Sequence, residues 1–329
     1  MNRRRKRNKR KKIIIFSIIL CLIGAGGYAG NLYFKTKNTL EDIYVPIVKQ
    51  SKQILNKVGT ETTEAIAEEI KMETPISVLL LGIDGAGEEH SRSDSLIVLT
   101  MNPNSGKTTM TSIPRDSLTE IVGNGTEDKI NHAHAFGGPQ MAIDTVEDFL
   151  GISIDYFVSV DMKGFKDVVD IFKGVSVMNE FNFSYDGHTF QEGTITLNGE
   201  EALAFVRMRK EDPRGDIGRN DRQKQVIESL MQKAASMSSI SKVKELLDMI
   251  SNNVKTNIQI SDASMFQQLY AQANGNIETL SLKGSGQTIN NVWYFIPDEA
   301  SKSEVSEKLQ TELMPKDPTA IVPDDEFSY

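Results

Sequence analysis

Cysteine is all but missing: the 329 residues contain one, Cys21, and it lies inside an uncharged apolar run. Disulfides, thiol catalysis and cysteine-ligated zinc are therefore excluded for everything beyond that run. Other chemistries also lack their residues. No Gly-x-Ser-x-Gly elbow is present. Ser105-Gly106-Lys107-Thr108 matches the end of a phosphate-binding P-loop, but Met101 stands where the first glycine belongs, so the stretch reads as a turn. His132 and His134 are two apart, diverge on a helix and have no convincing third ligand, which argues against zinc. Acid is absent from residues 1–12, nine of which are Lys or Arg.

Directly after that basic block comes a run of 22 residues without charge, 13–34. As a helix it would span ~33 Å at ~1.5 Å per residue, enough to cross a bilayer. The positive-inside rule then puts 1–12 in the cytoplasm and 35–329 outside, a single-pass type II arrangement. A cleaved signal peptide is the alternative; the run is long for one, and no small-x-small site comes after it. The whole chain has 37 basic and 45 acidic residues, so the exported part retains 28 against 45, a formal charge of −17. That balance disfavours nucleic acid as a partner. The basic tail reads as an orientation signal that also touches lipid headgroups.

Residues 35–75 read as a stalk with a loose helical stripe at Leu40, Ile43, Ile47, Ile54 and Val58, interrupted by Pro46. The folded domain is expected over 76–314. Ser77–Ile83 reads as a buried central strand, Ser95–Met101 as a second, and Thr108–Ile113 as a third after a hairpin turn at 102–107. Helical patterning over 139–150, 165–172 and 199–205 alternates with strands at 156–160 and 174–178. Weaker strands are expected at 257–260, 277–282 and 292–295, and 315–329 reads as an acidic, disordered tail. The alternation predicts a layered α/β domain with a mixed sheet.

Charged residues gather at the ends of the first three strands. Asp84 closes the first, Arg92 and Asp94 precede the second, and Arg115 comes just after the third. If the second strand runs antiparallel to both neighbours, all four meet at one sheet edge, where α/β proteins commonly bind ligands. Two arginines could grip a diphosphate there while Asp84 and Asp94 hold a hard cation such as Mg²⁺, with Mn²⁺ as an alternative. Asp84 merely closing a turn, and Asp94 merely pairing with Arg92, are the plainer readings.

A second cluster fills 207–223, RMRKEDPRGDIGRNDRQ. On an extended segment Arg207 and Arg209 would point to one side, with Val206 and Met208 opposite. Pro213 and Gly215 break the chain, and Asp216 is placed to cap a helix running toward Ser236. Asp216, Arg219 and Gln223 would share one face of it, continued by Ile227, Leu230 and Ala234. Arginine in a first turn opposes the helix dipole unless an anion binds there. The alternative is a solvated loop with surface ion pairs of little energetic weight.

VLLLGID at 78–84, SRSDSL at 91–96, SIPRDS at 112–117, DKINHAHAFGG at 128–138 and LNGEEALAFVRMRKEDPRGDIGRNDRQKQVI at 197–227 together resemble the LytR-CpsA-Psr family of membrane-anchored cell-wall enzymes. The resemblance implies an α/β/α sandwich with a central mixed β-sheet and a hydrophobic polyprenyl pocket, preceded by one transmembrane helix. It implies transfer of a glycopolymer, wall teichoic acid above all, from an undecaprenyl-diphosphate carrier to the N-acetylmuramic acid 6-hydroxyl of peptidoglycan, assisted by Mg²⁺. By motif, Arg92, Arg115, Arg207, Arg209, Arg219 and Gln223 are expected to contact the diphosphate, and Asp84 and Asp94 to serve the metal. Asp216 and Arg222 are expected to support the arginines, with Arg115, Asp94 and Arg92 nearest the reaction and Asp94 a candidate base. The stripes at 139–150, 165–172 and 226–234 are candidate walls for the lipid, or ordinary core. Two other functions use the same sequence: a polyprenyl-diphosphate phosphatase with water as acceptor, and a non-enzymatic envelope regulator.

Overall fold

The computed structural model describes residues 44–47, 74–84, 91–235, 253–259, 262, 265–266, 268–269 and 277–315. The basic tail, the apolar run at 13–34, most of the stalk and the tail beyond 315 lie outside these residues. Among the described residues no helix is long and apolar enough to cross a membrane.

Nine consecutive mostly apolar residues form β1 (Ile76–Asp84), as a strand covered on both faces requires. Beside it run β2 (Arg92–Asn102) and β3 (Lys107–Ile113), each antiparallel to its neighbour. The turn between them is made by Asn102, whose Oδ1 accepts from the Asn104 and Ser105 amides at 2.8 and 3.2 Å. Ser105–Lys107 therefore belongs to a hairpin, as its spacing indicated. A small hairpin comes next, β4 (Leu118–Ile121) with β5 (Thr126–Lys129), and then helix α1 (His132–Leu150). Helix α1 is broken at Gly137 and Gly138, and Pro139 restarts it where the apolar stripe begins.

Strand β6 (Tyr156–Asp161) pairs parallel with β1, and Asp161 caps α2 (Met162–Ile171) by accepting from the Gly164 amide at 2.7 Å. Next come β7 (Val175–Asn179), the short pair β8 (Phe183–Tyr185) and β9 (His188–Phe190), and β10 (Gly193–Leu197), which returns antiparallel to β7. Asn198 and Glu201 form a reciprocal cap for α3 (Gly199–Arg207). Helix α4 (Asp216–Ala235), β11 (Val254–Thr256), β12 (Ile277–Ser281), the hairpin β13 (Gly284–Ile289) and β14 (Val292–Pro297), and α5 (Glu299–Glu312) complete the described elements.

The main sheet has the order β11-β6-β1-β2-β3-β12 and is mixed, as expected. Leu79, Leu81, Ile83, Leu96 and Val98 pack with α1 and with Val305 and Leu309 of α5. From the opposite side of the same strands, Val78, Leu80, Ile97 and Leu99 meet Ile227 and Met231 of α4. A separate core joins α2, α3, β7–β10 and Val226 of α4 around Phe183, Phe190 and Phe205. The three apolar stripes considered as lipid walls supply side chains to these cores.

Some boundaries differ from expectation. Arg92 and Asp94 lie within β2 rather than ahead of it. The strand expected at 257–260 is instead Val254–Thr256; Asn257 leaves the ladder and its side chain bonds the Phe157 amide and Asp155 carbonyl. Within the expected stalk, Tyr44 bridges to Thr256, and Val45 and Ile47 pack on the core, so Pro46 sits in an extended stretch.

Candidate active site

Antiparallel pairing brings the strand-end charges to one edge. Asp84 stands opposite Arg92, and Leu96 opposite Ile113. Between Gly82 and Ile83 the register shifts: Gly82 faces Ser95 and Ile83 faces Ser93, leaving Asp94 as the extra residue of a bulge. Such a bulge re-aims a side chain at the end of a strand. Here the Asp94 carboxylate meets the Arg115 guanidinium, Nη1 to Oδ1, at 2.8 Å. Asp116 adds a second, longer contact to Arg115 Nε at 3.6 Å, and Lys129 binds Asp116 at 2.7 Å. Burial, the largest influence on Arg115, weakens its charge, but Asp94 and Asp116 outweigh it and raise its pKa. Arg115 is thus held as a fixed cation.

The segment 128–134 builds the wall behind this pair. The Asn131 amide donates to the Arg115 carbonyl at 3.2 Å, and the Asn131 carbonyl accepts from Ser93 at 3.4 Å. His132 Nδ1 lies 2.7 Å from Asp128, and His134 Nδ1 donates to the Ser91 carbonyl at 2.7 Å. The Nδ1 of each histidine therefore has its own partner. Asp116, Lys129 and Asn131 were not singled out by sequence reasoning. Their signal was proximity: all three fall inside motifs whose individual roles spacing alone leaves unassigned.

The second cluster folds around Arg222. Helix α3 continues through Arg207, so that residue ends a helix rather than sitting on a strand. Met208 then turns extended, and the expected alternation survives: Val206 and Met208 are buried, Arg207 and Arg209 exposed. Arg222 reaches back to this corner. Its Nε donates to the Phe205 carbonyl at 3.0 Å and its Nη2 to the Met208 carbonyl at 2.6 Å. Its Nη1 bonds Asp212 at 2.5 Å, and the guanidinium lies over the Phe183 and Phe205 rings. Arginine here meets the negative end of α3's dipole.

Asp212 also accepts from the Arg214 amide at 2.8 Å. Burial, the strongest influence, pushes its pKa up, but Arg222 and Arg214 together hold it below the usual carboxylate range. Arg214 is spent on Glu180, Asp221 and Asp212 at 2.5, 2.8 and 3.5 Å. The fully buried side chains of α4 are Arg222, Val226 and Ser229, one position off the expected face, whose Ile227 and Leu230 are half-buried and pack on the cores. The reason is electrostatic: Asp212 draws Arg222 inward. Arg219 and Gln223 consequently stand beside it, both half-buried at the helix flank. The Asp216 side chain lies outside the described residues.

Comparison with known proteins gives the same outline. The model of the LytR_cpsA_psr family matches residues 31–311. The polyisoprenyl-teichoic acid–peptidoglycan teichoic acid transferase TagU of Bacillus subtilis (strain 168) is 45% identical over 313 residues, covering 95% of this chain and 99% of that protein. The crystal structure of B. subtilis TagU aligns with a TM-score of 0.62 at 47% identity, over 74% of this chain and 98% of that one. A structure of TagT bound to LIIa-WTA aligns with a TM-score of 0.64 at 32% identity, over 82% and 99%.

Proposed function

Because the chain belongs to the LytR_cpsA_psr family, we propose that it transfers a teichoic acid from a polyisoprenyl-linked carrier to peptidoglycan. The observation that carries this reading is the Asp94–Arg115 pair, aimed by a strand bulge at the sheet edge where Arg92 and Asp84 also end. In the finer form, the carrier is undecaprenyl diphosphate, the acceptor is the N-acetylmuramic acid 6-hydroxyl, and the product is a phosphodiester. Residues 13–34 anchor the chain in the membrane with the catalytic domain outside, an α/β/α sandwich offering the lipid an apolar pocket.

Displacement at phosphorus needs alignment and charge neutralisation more than covalent catalysis. The acceptor oxygen bonds to phosphorus, the bond to the polyprenyl phosphate breaks, and that phosphate leaves with the electron pair. Arg115 and Arg92 neutralise charge developing on the phosphoryl oxygens. Arg207, Arg209, Arg219 and Gln223 hold the remainder of the diphosphate, and the buried Arg222–Asp212 pin fixes the corner that presents them. Asp94, bonded to Arg115 through one oxygen, takes the hydroxyl proton on its other.

Among the described residues no three His, Cys, Asp or Glu gather as a closed metal cage. Mg²⁺ commonly takes one or two carboxylates together with water and substrate phosphate. Asp84 and Asp94 fit that open form. When bound, the ion would supply further neutralisation of the diphosphate.

The test is product analysis. The full-length chain is incubated with Mg²⁺, a short-chain polyprenyl-diphosphate glycan and a peptidoglycan oligomer, and the products are read by mass spectrometry. A phosphodiester-linked glycan is expected. Free sugar phosphate alone would instead identify a hydrolase.

A further inference from the structure

The hairpin of β13 and β14 is attached to the loop that carries Arg115. The Phe295 amide donates to the Asp116 carbonyl at 2.9 Å, Phe295 bridges to Ser117, and Lys129 lies over the Tyr294 ring. The turn at Asn290 and Asn291, both with positive φ, matches the hairpin's two-residue connection. Yet the hairpin is mostly exposed, and it carries the chain's one tryptophan, Trp293, with half of its surface in solvent.

The indole is seated rather than loose. A Cβ on Gly286 would come within 2.7–2.9 Å of its Nε1, Cε2 and Cζ2, so the ring lies across that glycine. Gly284, two residues earlier, leaves room for the Phe295 ring in the same way, a Cβ there meeting Cζ at 2.5 Å. Two glycines at i and i+2 on one strand thus receive two aromatic rings from the other. Covering strand glycines with aromatics stabilises a sheet. It does not by itself call for a tryptophan left half bare.

We propose that the β13–β14 hairpin is a carbohydrate platform on which Trp293 stacks a hexopyranose of the acceptor glycan. The negative face of the indole suits the C–H edge of a sugar ring. From Gly284 to Pro297 no residue is charged. Thr288, directly opposite Trp293 and so on its face, and the turn residues Asn290 and Asn291 offer the hydroxyl and amides that pair with sugar hydroxyls and acetamido groups. A strand pair made to lie on an anionic bilayer would carry Lys or Arg beside its aromatics; these two strands have neither. The assignment of the sugar to the acceptor rests on the transferase reading; the platform itself does not.

Because Trp293 is the single tryptophan, emission excited selectively from tryptophan, apart from the eight tyrosines, reports on this site alone. The full-length chain, in a detergent without a sugar headgroup, is titrated with an N-acetylglucosamine tetramer. A saturable change in emission is expected, and no change would overturn the platform. The chain is also reconstituted into vesicles of brominated phosphatidylglycerol. Emission is expected to stay unquenched; quenching would make the hairpin a membrane contact and overturn the proposal. Neither reading involves the carrier substrate, so failure here is separate from failure of the transferase assignment. Where transfer is measured, Trp293→Ala should raise the KM for the glycan acceptor roughly tenfold, the equivalent of ~1.4 kcal/mol, and leave that for the lipid carrier in place. Trp293→Tyr should recover part of the loss. An unchanged acceptor KM in a folded Trp293→Ala protein would also overturn it.

Discussion

Asp212 and Arg222 carry opposite charges into the interior, where neither would persist alone. Together with the Phe205 and Met208 carbonyls they close a network that joins the end of α3 to the second turn of α4. Removing one partner from a buried pair leaves the other uncompensated, at a cost of about 3–5 kcal/mol. Asp212→Ala should lose that much stability in urea denaturation, and loss below ~1 kcal/mol, the range of exposed pairs, would contradict the network. The pH dependence has a definite sign. Since the folded state holds Asp212 below the usual carboxylate range, its contribution is present above the unfolded pKa of ~3.9. It is lost as pH falls through the lower folded value. His134 adds a second window. Burial, opposed by its bond to Ser91, keeps its pKa below the ordinary value. Stability should therefore fall with pH from ~6.5 downward, while the unfolded chain takes up a proton that the folded one refuses. His134→Gln should flatten that part of a denaturation-versus-pH profile.

Two local irregularities position the charges: the bulge in β2 and the turn ahead of α4. At that turn Gly215 has φ +58°, and a Cβ on Gly218 would overlap the Asp212 carboxylate. Gly218→Ala should displace Asp212 and with it the Arg222 pin, lowering the melting temperature and weakening carrier binding together. Unchanged thermal unfolding of that variant would show that the corner can yield. Much of the framework was readable beforehand because burial on both faces leaves an unbroken apolar run, as at β1 and β2. The Asn102 hairpin and the charge cluster at 207–223 were readable from their turn residues and arginine spacing. The bulge was not, because nothing in Ser93-Asp94-Ser95 marks which residue will lose its partner. The face of α4 was legible in part: Ile227 and Leu230 pack on the cores as expected, but nothing in the spacing showed that Arg222 would itself be buried on Asp212. Helix α5 escaped notice because Val305 and Leu309 are thinly spread among polar residues, although both are buried.

At the scale of the molecule, composition divides the chain into a basic end and a strongly acidic remainder. Type II insertion predicts that a cysteine replacing Ser328 is labelled by a membrane-impermeant thiol reagent on intact cells, whereas one replacing Asn2 is not. The reverse pattern would invert the topology. With the remainder at a formal charge of −17, the anionic lipid-linked substrate proposed above would be drawn in by local arginines, and screening should weaken its binding as salt rises. Arg115 is the one held at the strand-end edge, with Asp94 and Asp116 on its guanidinium and Asn131 on its carbonyl. The most direct test is single-turnover transfer by purified Arg115→Ala, with folding verified by thermal unfolding. A loss of about 10²–10³ in rate is expected for removal of one fixed donor to developing charge, with native-like unfolding. Near wild-type turnover by the folded variant would contradict the central role given to the Asp94–Arg115 pair.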